Sequence, residues 1–286
     1  MVHDTQNLRS TFALSGDIHD EELRSLMQEM FEQTGQDFRS YALSSLRRRV
    51  VASLMEEGLT SIQELKTRLG ADSAVRQRVL HRMTLPVTTM FRDPKFFRIF
   101  RELLIPVLRT YPFVRIWVAG CSTGQEAYSV SIILHEEGLQ SRSRVYATDL
   151  SPQVIDRAKE GIFPLAVMRE YTRNYQEAGG TSVFSEYYTA DSELVILRPF
   201  LRDNIVFAVH NLVSDGSFNE FNLILCRNVM IYFNRQLQGR VHELFHCSLA
   251  MFGYLGLGRS ESLRFNAAES HYEVIAATER LYRKIA

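Results

Sequence analysis

The sequence predicts an α/β protein, a parallel sheet with crossover helices, preceded by an all-helical N-terminal domain and interrupted by a small antiparallel β insertion. Three observations carry this expectation. Apolar residues fall at helical spacing from about Asp20 to Arg82. From Arg115 onward, short apolar runs alternate with helical stretches, the pattern that forces crossovers and a parallel sheet. Between Phe163 and Asp203 that rhythm gives way to short β-rich pieces around Gly179-Gly180 and then resumes. With 286 residues the chain suits a catalytic domain plus a smaller one, taken as residues 1–88 and 89–286, with the insertion at about 164–204.

In the first part, Leu23, Leu26, Met27, Met30 and Phe31 share one helical face, and Leu43, Leu46, Val50 and Leu54 another. Gly35, Gly58 and Gly70 sit where such helices stop, and Thr60 or Ser61 ahead of Gln63 and Glu64 opens a new one, giving three or four helices before Leu85. A further helix follows Asp93-Pro94 and leads into the apolar run Arg115–Ala119, read as a buried strand. Next come a helix from about Gln125 to Glu137, a strand at Arg144–Thr148, and a helix behind the N-cap Ser151 and Pro152. In the insertion, Val183-Phe184, Tyr187-Tyr188 and Glu193–Leu197 read as strand pieces. Strands then recur at Ile205–Val209 and Phe221–Cys226, a helix runs from about Arg235 to Met251, and Gly253–Leu257 and Glu279–Arg283 close the sheet.

Composition narrows the function. Hydrophobic residues at 45% and charged residues at 23% give a chain able to bury a core rather than a disordered one. Lys plus Arg (33) balance Asp plus Glu (33), so no global field draws the protein to nucleic acid or an anionic membrane, and a charged partner must meet a local patch. The three cysteines, Cys121, Cys226 and Cys247, lack metal-ligand or paired spacing; with no signal-peptide pattern and no apolar run of about 18 residues, a protein of the reducing cytoplasm without membrane insertion is expected. The eight histidines show no metal or catalytic spacing, and no metal is expected.

Two features point to chemistry. The turn Ala119–Gly124 leaves a strand and opens a helix; its glycines allow close backbone approach and the helix start offers free N–H groups, although alone it reads equally as a plain tight turn. Asp149 ends the next strand 25 residues after Gly124, where a carboxylate can accept from ribose hydroxyls or merely cap the following helix. Together they favour a nucleoside-bearing cofactor. In such a sheet the ligand lies outside the carboxyl ends of the strands, so His210-Asn211-Leu212 and Arg227-Asn228 fall on the same rim.

At this point four stretches resemble a known family. Thr88-Thr89-Met90-Phe91-Arg92-Asp93-Pro94, Trp117–Ser129, Ala147-Thr148-Asp149-Leu150-Ser151 and Cys226-Arg227-Asn228-Val229-Met230-Ile231-Tyr232-Phe233 are similar to the signature blocks of CheR-type chemotaxis-receptor methyltransferases, in the same order and spacing. The resemblance implies a Rossmann-like, S-adenosylmethionine-dependent methyltransferase domain behind a helical domain. It also implies transfer of a methyl group to glutamate carboxylates of a receptor, giving S-adenosylhomocysteine and serving sensory adaptation. Carried over residue by residue, it assigns the cofactor to Thr88, Arg92, Glu126, Asp149, Asn211, Leu212, Arg227 and Asn228. Pro86, where many members have Asn, and Gln125, Ala127 and Arg259 depart from the family pattern.

The methyl of a sulfonium is already activated and a glutamate carboxylate is ionised at neutral pH, so in-line displacement needs no general base. Tyr232 is the residue expected beside the methyl, donating a hydrogen bond to the substrate carboxylate; the alternative is an ordinary buried tyrosine. Arg47-Arg48-Arg49, with Arg24, Arg39 and Arg68 on the same domain, reads either as a solvated face or as a docking patch for the glutamate-bearing receptor helices. A degenerate member that binds cofactor or partner without methylating is the competing reading. A nucleotide-sugar or NAD oxidoreductase lacks its glycine pattern here, and a nucleic-acid methyltransferase would carry a basic excess.

Overall fold

A computed structural model describes residues 18–84, 88–263 and 269–286. These fall into two compact units, one of residues up to 84 together with Tyr232–Gln238, the other of residues 88–231 and those from Gly239 onward.

The first unit holds helices α1 (Asp20–Thr34), α2 (Leu43–Glu57), α3 (Ile62–Ala71) and α4 (Ser73–Thr84). Leu23, Leu26, Met27 and Met30 of α1 and Leu46, Val50, Val51 and Leu54 of α2 are buried, as the helical spacing requires. Gly35 (φ 72°) and Gly58 (φ 66°) end α1 and α2 in the left-handed conformation that glycine adopts without strain. Ser61 caps α3 by accepting from Glu64 N–H at 3.2 Å. Gly70 does not end that helix as expected. The chain stays helical through Ala71, and Asp72 turns it by accepting from Ala74 N–H at 2.8 Å. The segment Tyr232–Gln238 joins this unit: Ala42 N–H donates to the Tyr232 carbonyl at 2.8 Å, and Tyr41 pairs with Phe233 in a lone antiparallel bridge.

In the second unit, strands β1 (Val114–Ala119) and β2 (Ser143–Asp149) come first. Three short strands of a helix-bearing insertion follow, β3 (Ile162–Pro164), β4 (Tyr188–Ala190) and β5 (Leu194–Leu197). Then come β6 (Ile205–Val209), β7 (Phe221–Cys226), β8 (Leu249–Leu257), β9 (Tyr272–Ala276) and β10 (Leu281–Lys284). The main sheet has the order β6-β2-β1-β7-β8-β10-β9, and only β10 runs against its neighbours. The insertion makes a separate antiparallel sheet, β3-β5-β4. Helices α5 (Pro94–Ile99) and α6 (Ile105–Leu108) are joined by a π turn. They are followed by α7 (Gln125–Glu136), α8 (Pro152–Glu160), α9 (Met168–Glu177) and α10 (Arg235–Ser248), whose residues up to Gln238 count with the first unit. The near-continuous apolar runs of β1 and β7 are buried among Phe96, Phe100, Ile132 and Val130, the consequence of a parallel sheet covered on both faces.

Several boundaries differ from the expectation. Phe184–Tyr187 is a 3-10 turn rather than strand, because Phe184 and Tyr187, three apart, both turn inward against Tyr175. The insertion carries a helix, α9, and the main sheet has an additional edge strand, β9. Helix α10 stops at Ser248, since Leu249 already pairs with Phe221 of β7.

Candidate functional site

The carboxyl ends of four neighbouring parallel strands, β6, β2, β1 and β7, share one rim. At the end of β1 the chain must turn sharply into α7. Gly120 N–H and Cys121 N–H both donate to the Thr148 carbonyl at 2.8 Å, and Ser122 N–H donates to Asp149 Oδ2 at 2.9 Å. Gly120 (φ 76°) and Gly124 (φ 94°) take backbone conformations that a side chain resists, and a Cβ on Gly120 would lie 2.4 Å from Val229 Cγ2. The glycines therefore admit close backbone approach, here of the loop that follows β7. Asp149 also accepts from Ser151 N–H at 3.3 Å, so the acid predicted at the end of β2 secures the glycine loop and the start of α8 together. Burial pushes its carboxyl above the usual range, against the pull of the Ser122, Ser151 and Leu150 N–H groups.

On the other side stands Arg227, its side chain almost wholly buried. It pairs with Asp93 at 2.8 Å and Glu126 at 3.2 Å, donates to the Arg92 carbonyl at 2.9 Å, and lies 4.3 Å over the Phe96 ring. Glu126, on the first turn of α7, has its carboxyl raised by burial, while Arg227 and Arg92 pull it back and Glu261 pushes it further up. Thus Arg92, Asp93 and Glu126, all half-buried, gather around the buried Arg227 in one charge cluster. The loop at 89–93 is tethered from two helices, α7 and α9: Phe91 N–H donates to Ser129 Oγ at 2.9 Å, Asn174 Nδ2 to the Met90 carbonyl at 3.1 Å, and Thr89 Oγ1 to Glu170 at 3.0 Å. Phe91 (φ 51°) and Asp93 (φ 54°) are held in strained backbone conformations by these ties. Thr88 is half-buried at the head of this loop, and Pro86 lies outside the described residues.

Asn211 and Leu212 follow β6. The Asn211 side chain accepts from Val213 N–H at 2.9 Å and its own N–H donates to Asp215 at 2.9 Å, a tight Asx turn that leaves Leu212 buried. Gln125, where the family has an acid, is bonded to Thr123 Oγ1 at 2.8 Å and lies within 3.4 Å of the Tyr171 hydroxyl. Arg259 makes a two-pronged pair with the buried Glu279, at 2.9 and 3.1–3.2 Å. Sequence reasoning passed over Glu261, which is buried and gathers the N–H groups after Asn228; the acid in Gly258-Arg259-Ser260-Glu261 was its one visible signal.

In the helical unit the arginine run divides by helix geometry. Arg48 is exposed, Arg47 is half-buried and paired with Asp20, and Arg49 is buried. The expectation of one continuous basic face is corrected at Arg49, which donates to the Met83 carbonyl and lies 4.1 Å over the Tyr232 ring. Burial lowers the Arg49 guanidinium's pKa, while Tyr41 and Tyr232 counteract it. Tyr232 itself is half-buried rather than an ordinary core tyrosine.

These residues fit S-adenosylmethionine. Among the described residues, Glu126 Oε1, Ser122 Oγ and Asn228 Oδ1 are buried without a hydrogen-bond partner. Buried polar atoms normally have one, and a ligand with ribose hydroxyls, an ammonium and an amino-purine supplies the missing donors. Both cysteines near the rim, Cys121 and Cys226, have thiols pushed up by burial and are chemically quiet. Among the described residues no cluster suits a metal ion, and no helix is long and apolar enough to cross a membrane.

Comparison with known proteins agrees with this reading. The model described as CheR methyltransferase, SAM binding domain, matches residues 86–281, and the CheR methyltransferase all-alpha domain matches residues 21–84. A Pseudomonas putida protein with the provisional name methyltransferase Cher3 is 43% identical over 265 residues, 93% of this chain and 97% of that protein. An uncharacterized 104.1 kDa protein of Rhodobacter capsulatus is 31% identical over 87% of this chain and 26% of its own length. The chemotaxis protein methyltransferase Cher2 of Pseudomonas putida is 31% identical over 83% of this chain and 86% of that protein.

Proposed function

The chain belongs to the CheR methyltransferase family, and from that premise we propose that it transfers a methyl group to glutamate side-chain carboxylates of a chemotaxis receptor. It is an S-adenosylmethionine-dependent methyltransferase. The observation that carries the site assignment is the pair of partly buried rim carboxylates, Asp149 and Glu126, the latter with a buried oxygen that no described residue satisfies.

When bound, S-adenosylmethionine supplies a methyl group already activated by its sulfonium. The protein's own residues then have to bind, align and exclude water. Asp149 accepts from the ribose hydroxyls while its backbone partners hold it fixed. Glu126 and Arg92 take the ammonium and carboxylate ends of the methionine, and Thr88 closes the same end. Arg227, engaged with Asp93 and Glu126, acts by fixing Glu126. Asn211, Leu212 and Asn228 hold the adenosine portion. Tyr232 donates to the substrate carboxylate so that its oxygen approaches the methyl in line, within about 3 to 3.5 Å. The substrate carboxylate is ionised at neutral pH, and alignment carries the rate without a base. Arg48 and Arg47 on α2 meet an acidic receptor helix; steering of that kind weakens with salt.

The test is methyl transfer from cofactor labelled in its methyl group to the cytoplasmic helices of a methyl-accepting receptor. The expected product releases its label as methanol in mild base, as a glutamate ester must, and is lost when the acceptor glutamates become alanine. Base-stable label, or none in a protein that binds cofactor, would overturn the glutamate assignment and favour the degenerate module.

A further inference from the structure

Glu261 sits behind the rim, 5% exposed, three residues after Gly258, the first residue beyond β8. Its carboxylate accepts from four successive backbone N–H groups after β7: Asn228 at 2.9 Å, Val229 at 2.9 Å, Met230 at 2.7 Å and Ile231 at 3.3 Å. A fifth comes from Gly258 at 2.6 Å. Strands β7 and β8 are neighbours, with Cys226 opposite Leu257, so the two loops leave the sheet side by side. Their closeness demands glycine at 258, where a Cβ would lie 2.6 Å from Glu261 Oε2 and 2.8 Å from Asn228 N.

Four N–H groups in a row converge on one point only in a curled backbone, which here requires Asn228 in the left-handed region at φ 61°. That conformation is costly for a residue with a side chain, and the curl repels itself electrostatically unless an anion fills it. The carboxylate fills it, with charge-assisted bonds each stronger than a neutral one. Within the curl, Asn228 Oδ1 is buried and unsatisfied among the described residues. The strain is thus spent on fixing one side chain whose amide oxygen has no partner among the described residues.

We propose that Glu261 is a positioning residue for the cofactor: it holds the Asn228–Ile231 backbone in the arrangement that presents the Asn228 side chain to S-adenosylmethionine. This rests on the reading that Asn228 contacts the cofactor. Glu261 touches neither cofactor nor substrate.

Two measurements on Glu261→Gln test it. The first, amide hydrogen exchange without ligand, reads the loop directly. Protection of the 228–231 amides falls about tenfold or more, because a carboxamide turns an N–H toward donors, while Gly120, bonded to Thr148, keeps its protection. The second is a double-mutant cycle on S-adenosylhomocysteine affinity with Asn228→Ala. Each single variant weakens binding about tenfold, and the double variant is no worse than either, since Glu261 works through Asn228. Unchanged exchange, or losses that multiply in the double variant, would overturn the proposal. Should Glu261→Gln not fold, Glu261→Asp replaces it; failure of both to fold makes Glu261 a residue of the fold alone and equally overturns the proposal. A wild-type protein that does not bind S-adenosylhomocysteine sinks the cofactor reading instead, and the exchange result still decides whether Glu261 holds the loop.

Discussion

Around Gly120–Gly124 the rim is made of backbone: two glycines with positive φ, N–H groups turned onto Thr148 and Asp149, and an acid supplied by the very next strand. Around Arg227–Ile231 it is made of buried charge. Arg227 reaches Asp93 across 134 residues and Glu126 across 101, and Glu261 comes back from 33 residues downstream to cap Asn228. The first half ties two consecutive strand ends together across a single crossover, Ser122 reaching Asp149 over 27 residues. The second stands only if opposite charges find each other out of water, where an unpaired one is expensive. The two halves meet where Val229 fills the space over Gly120.

Removing a charge should therefore cost more than removing conformational freedom. Arg227→Met keeps the apolar stem against Phe96 but leaves Asp93 and Glu126 without their cation. We expect a loss of about 3 kcal/mol in denaturant unfolding; a loss under about 1 kcal/mol would mean that the carboxylates find other partners and that the charge cluster is not what holds this half. Gly120→Ala is the smaller perturbation, expected to cost roughly 2 kcal/mol from the positive φ and the clash with Val229. Pairing it with Val229→Ala separates the two causes. Partial recovery shows that the halves press on each other, whereas no recovery assigns the whole cost to backbone strain.

The same contrast explains what the sequence made legible. The glycine turn, Asp149 and the Ser151-Pro152 helix start were readable because each carries its own local residue pattern: glycines between a strand and a helix, an acid closing a strand, a cap ahead of proline. The α/β order and the insertion followed from periodicity. The pairing of Arg227 with Asp93, and the convergence of four N–H groups on Glu261, were not readable, because no local signal says which distant charge a buried arginine or carboxylate will meet. Arg49 misled for a related reason: in Arg47-Arg48-Arg49 the helix turns about 100° per residue, so adjacent arginines cannot share one face. Phe184 and Tyr187 looked like strand residues by composition, and only their packing on Tyr175 made them a 3-10 turn. Tyr232, placed by sequence with the strand before it, groups with the helical unit because its carbonyl takes Ala42 N–H and its ring lies beneath Arg49.

The most direct test of the account is calorimetric titration with S-adenosylhomocysteine of the wild-type protein and of Asp149→Ala. The account predicts saturable binding by the wild type, weakened at least about a hundredfold in the variant, which loses the ribose acceptor and the anchor of the glycine loop together. Equal affinity in the two proteins would contradict it, by showing that the rim built on Asp149 is not where the cofactor sits.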